Sequence, residues 1–159
     1  MEFTIRDARP ADAEAIAAFN SAMAEETEGK SLDPGIIGSG VANLMADSGR
    51  GRYWVAESVG QVVGQLMVTY EWSDWRNGNI WWIQSVYVAP EWRRKGVFSA
   101  LYRHVESLAA AAPDAIGLRL YVEESNERAQ RTYAALGMVK PRYLVMEALF
   151  KGARADKEK

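Results

Sequence analysis

Hydrophobic and polar positions along the chain change period from one element to the next. Phe3 to Arg6 reads as a short first strand. Pro10 can open a helix without losing a hydrogen bond, and Asp12 and Glu14 suit its positive end. Ile16, Phe19, Asn20 and Met23 fall at helical spacing, a mostly apolar stripe that ends near Ala24. Glu25 to Lys30 is polar, ends in Gly-Lys and reads as a loop. A second helix is predicted after Asp33-Pro34, running through Val41, Leu44 and Met45.

The middle of the chain is different in kind. Tyr53 to Glu57 and Gln61 to Trp72 are rich in β-branched and aromatic residues, with a turn at Ser58-Val59-Gly60. Asn77-Gly78 is a strong hairpin signal, and Ile80 to Val88 is the next strand, closed by Ala89-Pro90. Phe98, Leu101, Tyr102, Val105 and Leu108 then share one helical face that stops before Pro113. Ile116 to Val122 returns to strand, Ser125 is placed as the cap of a helix carrying Ala129, Tyr133 and Leu136, and Gly137 ends it. Arg142 to Leu149 is predicted as a last strand. The order β-α-α-β-β-β-α-β-α-β describes an α/β fold: a mixed, mostly antiparallel central sheet flanked by helices. Residues 1–150 are expected to form one domain and 151–159 a charged, frayed tail.

Composition narrows the function. The 159 residues carry a net charge of −2, so no global positive field draws the chain to nucleic acid or anionic lipid. The chain has no cysteine, which removes disulfides, thiolate metal sites and a cysteine nucleophile together. No other metal constellation is visible. No apolar stretch approaches the ~20 residues needed to span a bilayer, and the first residues lack a signal-peptide pattern. A cytoplasmic protein with neither a membrane nor a nucleic-acid partner is expected, as a monomer or homodimer.

The chemistry is concentrated after the strand that ends Val86-Tyr-Val. A short loop carries Arg93, Arg94, Lys95 and Gly96, and a long helix follows at once. Such a loop turns backbone N–H groups and the positive end of a helix toward one point, a place for a pyrophosphate. A basic loop that only meets solvent has the same composition, and the residues alone leave both readings open. A Walker-type loop is excluded, because the Gly-Lys-Ser/Thr ending is missing.

Arg93-Arg94-Lys95-Gly96-Val97 after that strand resembles the pyrophosphate loop of the GNAT superfamily of N-acetyltransferases, written Gln/Arg-x-x-Gly-x-Gly/Ala. A second block resembles the family's later motif: the strand Leu120-Tyr-Val, Asn126, a helix with Ala129 and Tyr133, then Gly137-Met. Phe98 departs from the pattern, standing where the family usually has Gly or Ala. The resemblance spans about residues 3 to 149. It implies an acetyl-CoA-dependent transferase without a metal, acting on a primary amine of an unidentified, small-molecule acceptor by direct attack.

The resemblance also implies roles. The strand at Ile83 to Val88 would splay from the one at Ile116 to Val122, and the pantetheine arm would pair with the backbone of Val86 and Val88. An N–H there would polarise the thioester carbonyl. Arg93, Arg94, Lys95, Gly96, Val97, Phe98 and Ser99 would hold the pyrophosphate. Asn126 would contact the cofactor's arm. Tyr133 is the candidate general acid for the departing thiolate, and the competing reading is a core aromatic. Gln84 and Ser85 occupy the strand region where relatives often carry an acid. Glu25, Glu26 and Glu28 would border the acceptor pocket, where they would attract a cation or serve as base; a solvated acidic loop is the plainer reading. The missing acid keeps open a non-catalytic acyl-CoA-binding domain, and protein or peptide amino groups remain alternative acceptors. Trp72, Trp75, Trp81 and Trp82 either line an acceptor pocket or stabilise the hairpin, and His104 reads as structural or exposed.

Overall fold

Each of the first four strands pairs antiparallel with its sequence neighbour, and the fifth joins the sheet in parallel. A computed structural model describes residues 1–150, in two compact units: one from Met1 to Leu120, and a second beginning at Tyr121. In the first unit, β1 (Thr4–Asp7), β2 (Gly51–Ser58), β3 (Gln61–Ser73), β4 (Gly78–Val88) and β5 (Ala115–Leu120) lie in the order β1-β2-β3-β4-β5. The β2–β4 meander follows from local turn chemistry. Val59 and Gly60 take positive φ between β2 and β3, and Asn77 takes φ 50 immediately before Gly78. The β3–β4 turn spans Asp74 to Asn77, longer than the two-residue turn an Asn-Gly pair favours.

Helices cover the two faces. α1 (Ala13–Glu28) and α2 (Pro34–Met45) pack on one: Ile16, Val41, Tyr53 and Val55 form a buried cluster there. Side chains alternate along β2, so Trp54 turns to the opposite face, stacks on Trp81 with ring centroids 6.3 Å apart and meets His104 of α3 (Val97–Ala111). Gly64 brings β3 close under the start of α3, because a Cβ there would stand 2.9 Å from Val97 Cγ1. A larger residue would push the N-terminus of α3 off the sheet.

Four sequence expectations change. α1 does not stop near Ala24; it continues to Glu28 and is capped by Gly29 at φ 62. Glu25, Glu26 and Glu28 therefore sit on its last turn and not in a loop; glutamate is a good helix former, and polarity there marks an exposed face. Asp12 serves the Arg6 guanidinium, which also binds Glu57, and accepts from the Arg9 N–H. In the second unit, α4 (Glu127–Ala135) is capped by Asn126, not Ser125. The strand expected at Arg142 to Leu149 does not form: the segment joins no ladder, and Leu144, Val145 and Met146 are all exposed. β propensity alone does not hold a strand without a partner. The tail expected at 151–159 lies outside the described residues.

Candidate functional site

β4 outruns its neighbour. Its ladder with β5 runs from Asn79–Ala115 to Ile83–Leu120 and stops, whereas its ladder with β3 continues to Gly64–Val88. Residues 84–88 thus have no β5 partner on that edge, where the splay was expected. Beyond Val88 the chain makes one 3-10 turn, Pro90–Trp92, anchored by the buried Trp92 against Phe3. Arg94 and Gly96 follow at φ 61 and 82, and α3 starts directly after. No side chain caps α3 at Gly96. Left-handed backbone at Arg94 and Gly96 before an uncapped helix start is a geometry that can gather N–H groups around an anion. A Cβ on Gly96 would meet nothing within 4 Å, so this side of the loop is open.

The three cations differ in availability. Arg93 is committed: its Nη2 binds Glu26 at 2.7 Å, its Nε donates to the Val88 carbonyl at 3.0 Å, and its guanidinium lies 5.4 Å from the Tyr87 ring centroid. Lys95 donates to the Glu91 carbonyl at 2.6 Å and stands over Trp92. Arg94 is exposed and makes no side-chain hydrogen bond or ion pair among the described residues. Arg93 thus braces the loop against α1, whereas Arg94 makes no such commitment among the described residues. Val97 is buried; Ser99 is exposed. Phe98 is half-buried, its ring 6.2 Å from that of Tyr102 one helical turn on.

Glu26 is held by two partners. The Tyr87 hydroxyl donates to it at 2.7 Å and Arg93 takes its other oxygen. The Tyr87 bond, followed by Arg93, keeps the carboxyl below its ordinary range. Burial, then Glu26, pushes the Tyr87 phenol up. A carboxylate already neutralised by an arginine is poorly suited to attract a second cation or a proton. Glu25 and Glu28 are exposed on the same helical turn.

Gln84 donates to Thr69 Oγ1 at 2.6 Å. Ser85 lies in a bulge: Gln65 pairs with Tyr87 and Met67 with Gln84, so Ser85 and Val86 together oppose Leu66. Ser85 takes φ 50 there. Behind it is a polar group that the sequence reading missed. The fully buried Gln65 donates from Nε2 to the Ser85 carbonyl at 3.1 Å and to Asn20 Oδ1 at 3.0 Å, while Asn20 Nδ2 donates to the Tyr53 hydroxyl at 3.2 Å. Burial lifts the Tyr53 phenol, with bonds to Asn20 and Ser85 acting the other way. The available signal was one glutamine inside the apolar run Val62-Val63-Gly64-Gln65-Leu66-Met67-Val68.

Within the second unit, Asn126 Oδ1 accepts from the Ala129 N–H at 3.0 Å, so its side chain caps α4. Tyr133 lies on α4, and burial raises its phenol above the ordinary value. Of the hairpin tryptophans, Trp81 is core, Trp72 and Trp75 are exposed, and Trp82 stacks with the Arg119 guanidinium 5.7 Å from its ring. No helix among the described residues is long and apolar enough to cross a membrane.

The Acetyltransferase (GNAT) family profile matches residues 17–138, most of the chain, and the chain belongs to that family of N-acetyltransferases. A crystal structure of a possible acetyltransferase from Clostridium difficile 630 is similar at 44% identity, with TM-score 0.89 over 95% of this chain and 99% of that one. A thialysine N-epsilon-acetyltransferase of Bos taurus is 36% identical over 76 residues, 48% of this chain and 44% of the relative. The match thus spans less than half of that relative's length. An aminoglycoside acetyltransferase from an uncultured soil metagenomic sample shares the fold, with TM-score 0.73 at 18% identity over 95% of this chain and 100% of that one.

Proposed function

We propose that the chain transfers an acetyl group from acetyl-CoA to a primary amine by direct attack, the observation that carries this being the stretch of β4 that runs past its pairing with β5 into the uncapped start of α3. Residues 84–88 offer a strand edge of the right kind for the amide-bearing pantetheine arm, through the backbone of Val86 and Val88. The Val88 carbonyl already accepts from Arg93, so its N–H is the group available for pairing. N–H groups from Gly96 to Ser99 suit the pyrophosphate, with Arg94 adding charge.

In the reaction the amine nitrogen attacks the thioester carbon, the N–C bond forms, and the C–S bond breaks with its electron pair on sulfur. The Tyr133 hydroxyl supplies the proton to that sulfur and recovers one from solvent, while the amine sheds its surplus proton to water. This role, like a contact of Asn126 with the donor's arm, rests on the family motif. Burial of Tyr133 keeps its phenol protonated throughout the neutral range. The acceptor amine must reach the site neutral, and at a lysine-like pKa of ~10.4 only about one molecule in a few thousand is neutral at pH 7. Negative charge growing on the thioester oxygen is best met by a backbone N–H of the β4 bulge.

For the acceptor, pairing of Glu26 with Arg93 removes the strongest reason to expect a polycation. The similarity to a thialysine N-epsilon-acetyltransferase favours the side-chain amine of a lysine-like amino acid, with other small amines next. The donor half is tested without an acceptor. At ~100 times the dissociation constant, acetyl-CoA should stabilise the protein by roughly 2.7 kcal/mol. The thermal midpoint should then rise by about 5–10 °C. An unchanged midpoint at millimolar acetyl-CoA would overturn the proposal.

A further inference from the structure

The buried amide of Gln65 has no role in the donor edge as described so far, yet it touches the one strained residue of β4. Ser85 holds φ 50, a backbone region that non-glycine residues adopt only where their surroundings hold them. Gln65 supplies part of that hold. Its Nε2 spans from the Ser85 carbonyl to Asn20, and Asn20 continues to Tyr53, so β3, α1 and β2 all bear on the bulge. The arrangement is not what packing alone would select. Gln65 Oε1 is fully buried and has no hydrogen-bond partner among the described residues. An apolar side chain of similar length would avoid that desolvated oxygen. What distinguishes the glutamine from such a side chain is what its Nε2 holds.

What it holds is a peptide plane. The Ser85 carbonyl and the Val86 N–H belong to one planar, trans peptide, in which they point in opposite directions. A donor fixed on the Ser85 oxygen thereby fixes the direction of the Val86 N–H. We propose that Gln65 is a positioning residue: through the Ser85 carbonyl it orients the Val86 N–H that polarises the thioester carbonyl of the acetyl donor. Asn20 and Tyr53 are its supports, holding the amide against rotation from the α1 side of the sheet. The inference rests on the acetyl-transfer reading above and adds to it a residue that touches neither substrate.

Gln65→Met keeps the length and removes the donor. The test combines steady-state kinetics with vibrational spectroscopy of bound acetyl-CoA labelled with carbon-13 at the thioester carbonyl. For the wild type, the carbonyl stretch should shift to lower frequency on binding. In Gln65→Met that shift should shrink, and kcat should fall about ten- to hundredfold, less than the full loss of such a donor. Affinity for coenzyme A, which lacks the carbonyl, should stay within about threefold, since the Val88 N–H and the pyrophosphate contacts, which carry most of the hold on the donor, are unchanged. A change that only loosened the fold would lower donor affinity and kcat together and leave the bound carbonyl frequency where it was. Asn20→Ala serves as the second variant, because it leaves Gln65 in place and frees its amide; the same two changes are expected, smaller in size. A folded variant with wild-type carbonyl frequency and kcat overturns the role of Gln65 and leaves acetyl transfer standing. A wild type that fails to bind acetyl-CoA overturns both.

Discussion

Substitution of Gly96 separates what the start of α3 does for folding from what it does for a ligand. Gly96 sits at φ 82, and an added Cβ meets nothing within 4 Å, so the cost of a side chain lies in the backbone alone. A left-handed conformation costs an ordinary L residue about 1–2 kcal/mol. Part of this is offset by the lower freedom of the unfolded chain, worth about 0.4–1 kcal/mol. A net loss near 1 kcal/mol should lower the midpoint of Gly96→Ala by about 2–4 °C. Aspartate tolerates this backbone region better, and its carboxylate favours a helix N-terminus by about 0.3–1 kcal/mol. Gly96→Asp should therefore melt no lower than Gly96→Ala. Ligand binding should reverse that order. A carboxylate about 6 Å from each of two pyrophosphate charges is opposed by roughly 0.7 kcal/mol per charge even at the dielectric constant of water. The sum of about 1.4 kcal/mol is tenfold in affinity. Partial exclusion of water would enlarge it. Calorimetric titration of acetyl-CoA into the wild type and both variants, beside their unliganded melting curves, reads both quantities. Gly96→Asp binding as tightly as Gly96→Ala would refute an anion site at the start of α3.

Tyr133→Phe should lower kcat by about a hundred- to ten-thousandfold with little change in donor affinity, as expected for loss of a general acid. Because burial raises the Tyr133 phenol, any alkaline fall of kcat due to it should begin only above pH ~10, and that limb should be absent in the phenylalanine variant. The hydrogen bond from Arg6 holds the Asp12 carboxyl below its ordinary value. A depressed carboxyl contributes stability that is present above its unfolded pKa and lost as pH falls through the folded one. Wild-type stability should thus decline below about pH 4, and Asp12→Asn should be less stable at neutral pH with a flatter acid limb, measured by urea titration across pH. Leu66 is fully buried beside the bulge, and Leu66→Ala should cost about 2–5 kcal/mol in equilibrium unfolding.

What could be read from the sequence was what local chemistry dictates. Asn77-Gly78, Val59-Gly60 and the switch from strand to helix at Gly96 each mark a boundary through backbone requirements that few residues satisfy. Periodicity located the core helices for the same reason, since Ile16, Leu101 and Val105 are buried through their spacing. The misreadings arise where a partner distant in sequence decides. Glu26 looks like a loop residue until Tyr87 and Arg93 are placed beside it, 61 and 67 positions away. The pairing of Arg93 with Glu26 is equally invisible from the sequence. The strand expected at Arg142 to Leu149 has suitable residues but no ladder. Gln65 resembles an irregularity in an apolar strand, and only the bulge at Ser85 shows what its amide holds. The family motif was thus legible, and the buried network behind β4 was not.

The most direct test is product formation. Purified protein with acetyl-CoA is incubated with a panel of primary amines that includes thialysine and lysine, and free thiol release is followed beside mass spectrometry of the amine. The predicted result is amine-dependent thiol release matched one for one by an N-acetylated product, slowed in Tyr133→Phe and in Gly96→Asp. Bound acetyl-CoA with no acetylated product from any amine, protein amino groups included, would contradict the proposed reaction.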